Sequence, residues 1–220
     1  MKERPIIFNG EMVRAILDGR KTQTRRPVKF PFFDKNMGCE LAGNELAGEI
    51  RAGNLSNVPF GRIGERLWVR ETWQGPLVDY DDAYAMFKDP TPYQKVENCV
   101  YRADGGPCPE FTDADDELRQ GWRPSIHMPR WACRILLEIT AIRVERLNDI
   151  SPNDAAREGL VQLPASGRYC ISQGDQYFGG ASHDAREVFS WLWTSIYGEE
   201  SWNTNPWVWV IQFKRMGVQP

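Results

Sequence analysis

The run from Arg134 to Leu147 (Arg-Ile-Leu-Leu-Glu-Ile-Thr-Ala-Ile-Arg-Val-Glu-Arg-Leu) constrains the fold more than any other segment. It is rich in β-branched residues, has no Gly or Pro, and alternates apolar with polar side chains, so it predicts one long strand. A strand of that length bends part-way along when it belongs to a small barrel. Two further segments read as strands. Gly64 to Trp73 puts Leu67, Val69 and Glu71 on one face and Trp68, Arg70 and Thr72 on the other. Pro206 to Lys214 closes the chain as a third strand.

Helical signals lie between the strands. Asn9 is placed to cap a short helix that Gly19 ends, with Met12, Val13, Ile16 and Leu17 on one face. Ser151-Pro152-Asn153-Asp154 opens a second, with Ser151 as cap, Pro152 in the first turn and Gly159 as stop. A third runs from about Ala185 to Tyr197, with Val188, Phe189, Leu192, Trp193 and Ile196 on one face. The remainder, about 30–62, 75–125 and 161–182, is rich in Gly, Pro, Ser, Asn or acidic residues and reads as irregular insertions, with one helical turn in the second. The expectation is a single α+β domain over 1–220: a small mixed β-barrel with flanking helices and long loop insertions.

The 220 residues carry a net charge of −3 and a sequence pI near 5.6, which argues against coating nucleic acid through bulk positive charge and leaves room for one local basic pocket. No segment approaches the roughly 18 apolar residues of a membrane span, and only Ile6 to Phe8 follow the charged start, too short for a signal peptide. The expected location is the cytoplasm, with no membrane partner. Five widely spaced cysteines without a Cys-x-x-Cys suggest free thiols. Cys99, Cys108, His127 and Cys133 fit no standard zinc spacing, so neither a metal nor a cofactor is expected.

The densest positive charge lies in Gly19 to Phe33, where Arg20, Lys21, Arg25, Arg26 and Lys29 precede any acid. Such a segment is either a solvated basic turn or a grip for an anionic or strongly polar ligand. Lys21 and Thr24, three apart, suit one pocket: a desolvated lysine can take a proton from a hydroxyl nucleophile. The bland alternative is a turn hydroxyl bonded to backbone. Glu158, in the last turn of its helix, opposes the helix dipole by about 0.3–1 kcal/mol, so it is either solvated or paired with a cation, Lys21 or an arginine. Asp154, four residues earlier, is the second carboxylate on that face. Trp68, Trp73, Trp122 and Tyr101 are candidate stacking surfaces for a base, although most aromatics are core. Trp122 to Trp131 packs aromatics, Arg123, Arg130 and His127 between two prolines and suits a pocket wall or a cross-brace.

These pieces resemble a known family. Gly19-Arg20-Lys21-Thr22-Gln23-Thr24-Arg25-Arg26 resembles the signature of ASCH domains; Gly64-Glu65-Arg66-Leu67-Trp68-Val69 is similar to the family's Gly-Asp and barrel strand, with Glu65 in place of Asp; Ala156-Arg157-Glu158-Gly159 and the closing helix and strand follow in the family's order. The chain also resembles ASCH proteins carried by phages and prophages. The resemblance implies a PUA-like barrel and an association with RNA. One branch hydrolyses N4-acetylcytidine with a Lys, a Thr and a Glu, which correspond by position to Lys21, Thr24 and Glu158. In that reading Thr24 attacks the acetyl carbonyl, Lys21 activates it or stabilises the oxyanion, and Glu158 orients Lys21 or protonates the departing amine. Arg20, Arg25, Arg26, Trp68, Glu71, Trp73 and His127 would contact the nucleoside. This chain is about twice the length of that branch, and its insertions put the substrate in doubt. A module that binds RNA or a modified base without chemistry, and a ribonuclease, are the alternatives.

Overall fold

In a computed structural model the protein is described over residues 2–113 and 117–217; the expected insertion at 75–125 therefore includes three residues, 114–116, outside the described ones. The strands are β1 Glu3–Ile7, β2 Gln23–Pro27, β3 Phe32–Phe33, β4 Glu40–Leu41, β5 Arg66–Arg70, β6 Trp73–Gln74, β7 Val100–Tyr101, β8 Glu110–Thr112, β9 Leu118–Gln120, β10 Leu136–Arg146, β11 Val161–Gln162, β12 Tyr169–Cys170, β13 Ala181–Ser182 and β14 Trp207–Arg215. The helices are α1 Gly10–Leu17, α2 Gly43–Arg51, α3 Tyr80–Lys88, α4 Pro152–Arg157, α5 Ala185–Tyr197 and α6 Glu200–Asn203.

The class is α+β. Five strands share one mixed sheet in the order β1-β5-β10-β14-β2, and β10 is its long central strand. Among the described residues the sheet is open, with β1 and β2 as its edges, so the expected barrel closure is not made. No helix among the described residues is long and apolar enough to cross a membrane.

The chain divides into two compact units. The first is built mainly from residues 15–66 and 138–215. Here β14 pairs antiparallel with β2, Ile211 opposite Thr24 and Val210 opposite Arg25. Its core gathers Leu147, Ile150, Ala155, Val188, Phe189, Leu192 and Trp193 under Val208 and Val210, so α5 buries the face its spacing predicts, except that Ile196 at its end is 40% exposed. Ser151 caps α4 by accepting from the Asp154 N–H at 3.1 Å. Two insertions hold more order than their composition suggests. Helix α2 lies within 30–62 and buries Leu46, Ala47 and Ile50. Glycine at position 43 conceals it from a propensity reading, yet glycine is required: a Cβ there would lie 2.2 Å from the Trp207 indole. The segment 161–182 forms an antiparallel sheet of β11, β12 and β13.

The second unit comes mainly from residues 3–14 and 67–137. Leu67, Val69 and Glu71 are buried as the alternation predicts, and the strand breaks after Arg70 before β6 resumes at Trp73. Trp73, Tyr101, Met128, Ala132 and Cys133 form its core. The single helical turn expected in 75–98 is a longer helix, α3, capped at Asp79 and with no buried residue. The acidic stretch beyond it folds as the β8–β9 hairpin, Phe111 opposite Arg119.

Candidate functional site

In the first unit, strand alternation decides which basic residues meet. The Gln23 and Arg25 side chains leave β2 on the side of α4, where Gln23 Nε2 donates to the Asp154 carbonyl at 2.7 Å. Arg25 Nη1 donates to Glu158 Oε1 at 2.8 Å, and its Nη2 to Glu145 Oε1 at 2.6 Å. Lys21, two residues before Gln23, forms a β-bridge with Glu158, and its Nζ donates to Glu158 Oε2 at 2.9 Å and to the Glu158 carbonyl at 2.8 Å. Arg143 links Glu145 and Asp154, at 2.7 and 2.8 Å. Lys21, Arg25 and Arg143 thus balance Glu158, Glu145 and Asp154. The Lys21 and Arg25 side chains have no exposure and Glu158 has 3%.

Gly159 makes the approach possible. Its φ is +109°, and a Cβ there would lie 2.9 Å from the Ala15 Cβ and 3.1 Å from the Lys21 Cβ. Arg20 donates to the Gly159 carbonyl and to Asp18 Oδ2. Burial pushes the Lys21 ammonium below its ordinary pKa; Glu158 opposes the shift, and Arg26 and Arg25 add to it. Gln23 Oε1 and Arg25 Nε are buried and find no hydrogen-bond partner among the described residues.

The structure thus brings Lys21, Glu158, Arg25 and Arg20 together. Thr24 and Arg26 occupy the alternate positions of β2, on the face opposite Gln23 and Arg25. That leaves the Thr24 hydroxyl pointing away from the side on which Lys21 meets Glu158. Arg143 and Glu145, missed as members of the network, were readable as same-face neighbours in the long strand.

The second unit holds the other expected residues. Arg134 grips the buried Glu71 carboxylate with both arms, at 2.9 and 3.0 Å, and lies over the Tyr101 ring at 3.9 Å. Burial raises the Glu71 pKa against the pull of Arg134. Trp68 packs against the Trp73–Tyr101 core, with the Arg70 guanidinium 5.4 Å from its ring centre. Trp73 and His127 line a cavity of about 730 Å³, whose walls include Trp131, Phe111, Tyr80 and Phe87. Trp73 is 1% exposed and meets Trp131 edge-on at 5.5 Å. Trp131 and Phe111 are half-buried, and Tyr80 is 75% exposed. The sequence reading missed Phe111 and α3. The signal for α3 was the helical spacing of Tyr80, Tyr84 and Phe87 in an otherwise polar stretch.

No known protein family matches the chain, and neither does any curated protein or solved structure.

Proposed function

We propose that this protein is a binding module for a base-bearing ligand, a nucleoside-class molecule or an unstacked RNA base, held in the cavity of the second unit. We read the five-stranded sheet and its flanking helices as a PUA-like core carrying insertions. The observation behind the binding reading is the cavity itself. At about 730 Å³ it has the size of a small-molecule site, and its accessible rings, Trp131, Phe111, Tyr80 and Phe87, are stacking surfaces for a planar ring. In the first unit, by contrast, Lys21, Arg25 and Glu158 are buried and paired with one another. Titration of the protein with nucleosides, read by tryptophan fluorescence, is expected to give a saturable change that Phe111→Ala weakens. A flat titration with every nucleoside and with short single-stranded RNA defeats the reading.

One observation favours a second reading, hydrolysis of an N4-acylated cytidine. The amine of Lys21 has its pKa lowered by burial beside a carboxylate, a state suited to accepting a proton. The placement of Thr24 on the other face of β2 weighs against Thr24 as the attacking group. Turnover of N4-acetylcytidine, followed by its ultraviolet shift and lost in Lys21→Ala, would establish this chemistry; no turnover leaves the pair a structural one.

A further inference from the structure

Several arginines of the described residues are engaged with acids: Arg20 with Asp18, Arg25 with Glu158, Arg119 with Asp113, Arg130 with Glu3, Arg134 with Glu71 and Arg143 with Glu145. Arg123, on the cavity wall, is not. It is exposed, it lines the cavity, and among the described residues no carboxylate lies within ion-pair distance of it. Its guanidinium instead lies over the Trp73 ring, 5.5 Å from the centroid.

That placement is held from two sides. The main chain is fixed by a two-bond bridge, Arg123 N to Trp73 O at 2.8 Å and Trp73 N to Arg123 O at 3.2 Å. The indole beneath is itself locked, buried and set edge-on against Trp131. A cation–π contact uses none of the guanidinium N–H donors, which stay available to grip a phosphate or carboxylate. His127 stands in the same wall, in the turn Ser125–His127, and adds a ring nitrogen that can donate.

Among the described residues two acids share the cavity. Asp113 is already bound to Arg119 at 2.7 Å and accepts from the Glu117 N–H at 3.1 Å. Glu110 is exposed on β8 and repels an anion placed beside it. The walls therefore suit a ligand with its anionic group at Arg123, a planar ring among the aromatics, and a neutral hydrogen-bond donor such as an exocyclic amine toward Glu110.

We infer that the cavity takes a planar ring bearing one anionic group, of the nucleoside monophosphate class, with Arg123 and His127 as the anion grip. This rests on the base-binding reading of the same cavity. The test compares cytidine and adenosine with their 5′-monophosphates by isothermal titration at physiological salt, on the intact chain and on Arg123→Gln. The monophosphates are expected to bind about tenfold tighter than the nucleosides, the value of one charge-assisted contact. Arg123→Gln should erase that gap without unfolding the chain, because the residue is exposed and the Trp73 bridge is made by backbone atoms; a tenfold gap that survives in Arg123→Gln would overturn Arg123 as the grip. Equal affinity of nucleoside and monophosphate would overturn the anion grip and leave the base-binding reading standing. Binding of neither would overturn both. A short oligoribonucleotide that binds tighter still, with affinity falling steeply in salt, would overturn the single-anion class in favour of a nucleic-acid strand.

Discussion

The Lys21–Glu158 network and the Trp73–Arg123 cavity wall are both dense in charge, and they dispose of it in opposite ways. In the network every cation faces a carboxylate, and the atoms of Lys21, Arg25 and Glu158 are closed to solvent. In the cavity wall a guanidinium lies over an aromatic ring and, among the described residues, has no carboxylate within ion-pair distance. A buried, balanced network brings little net stability over an apolar core, because desolvation cancels much of the Coulomb gain, but removing one member strands the others. An exposed, unpaired guanidinium costs the fold little and is open to a partner. Charge density in a sequence therefore does not distinguish a keystone from a binding site; what each charge faces does.

The largest expected effect tests the keystone. Glu158→Gln leaves Lys21 and Arg25 buried with one charge fewer to balance them, and about 3–5 kcal/mol of stability should be lost in urea unfolding. The paired replacement Lys21→Met with Glu158→Leu should cost less than Glu158→Gln alone, since it removes both charges together. If Glu158→Gln unfolds at the same urea concentration as the native chain, the network is not a keystone, and the comparison between the two regions fails at its first term.

The next effect tests the cavity. Phe111 stands on a surface hairpin and is half-buried, so Phe111→Ala should leave the urea midpoint nearly unchanged. It should weaken nucleoside binding by about 1–3 kcal/mol, roughly five- to 150-fold in Kd, the worth of one stacked base. Equal Kd values for Phe111→Ala and the native chain would mean that the hairpin wall takes no part in binding. A large loss of stability would place Phe111 in the core instead.

Much of this contrast was legible in the sequence, and the rest was not for definable reasons. Apolar patterning located β10, β14 and α5, and capping residues located α4, because these signals are local to each element. The pairing of Lys21 with Glu158 was available from a cost argument: a carboxylate at a helix C-terminus calls for a cation. The position of Thr24 was not, because the reading allowed a turn where the chain is already extended, and in an extended chain residues three apart face opposite ways. Helix α2 was hidden by a glycine that exists for the sake of Trp207, a contact between residues 164 positions apart. The cavity was invisible for a similar reason. Its walls come from α3, the β8–β9 hairpin and the proline-bracketed segment before β10, and only the last announced itself by composition.

The smallest effect gives the network its baseline in acid. Asp34 also belongs to the first unit, but neutral donors hold its carboxylate: Asn57 Nδ2 at 2.7 Å, the Met37 N–H at 2.6 Å and the Asn36 N–H at 2.7 Å. These bonds, Asn57 first, pull its pKa below the ordinary carboxylate value. A folded-state pKa below the unfolded one means that the unfolded chain takes the proton first. The contribution of Asp34 is thus complete above the ordinary aspartate pKa of about 3.9 and is lost as pH falls through the lower folded value. Asp34→Asn should therefore lower the melting temperature slightly at neutral pH, and the gap to the native chain should close in strong acid. If the native chain and Asp34→Asn both begin to lose stability well above pH 4, that loss belongs to groups other than Asp34. If the gap between them stays constant into strong acid, the hydrogen bonds to Asp34 do not favour its ionised form, and its low pKa is not the source of its stabilisation.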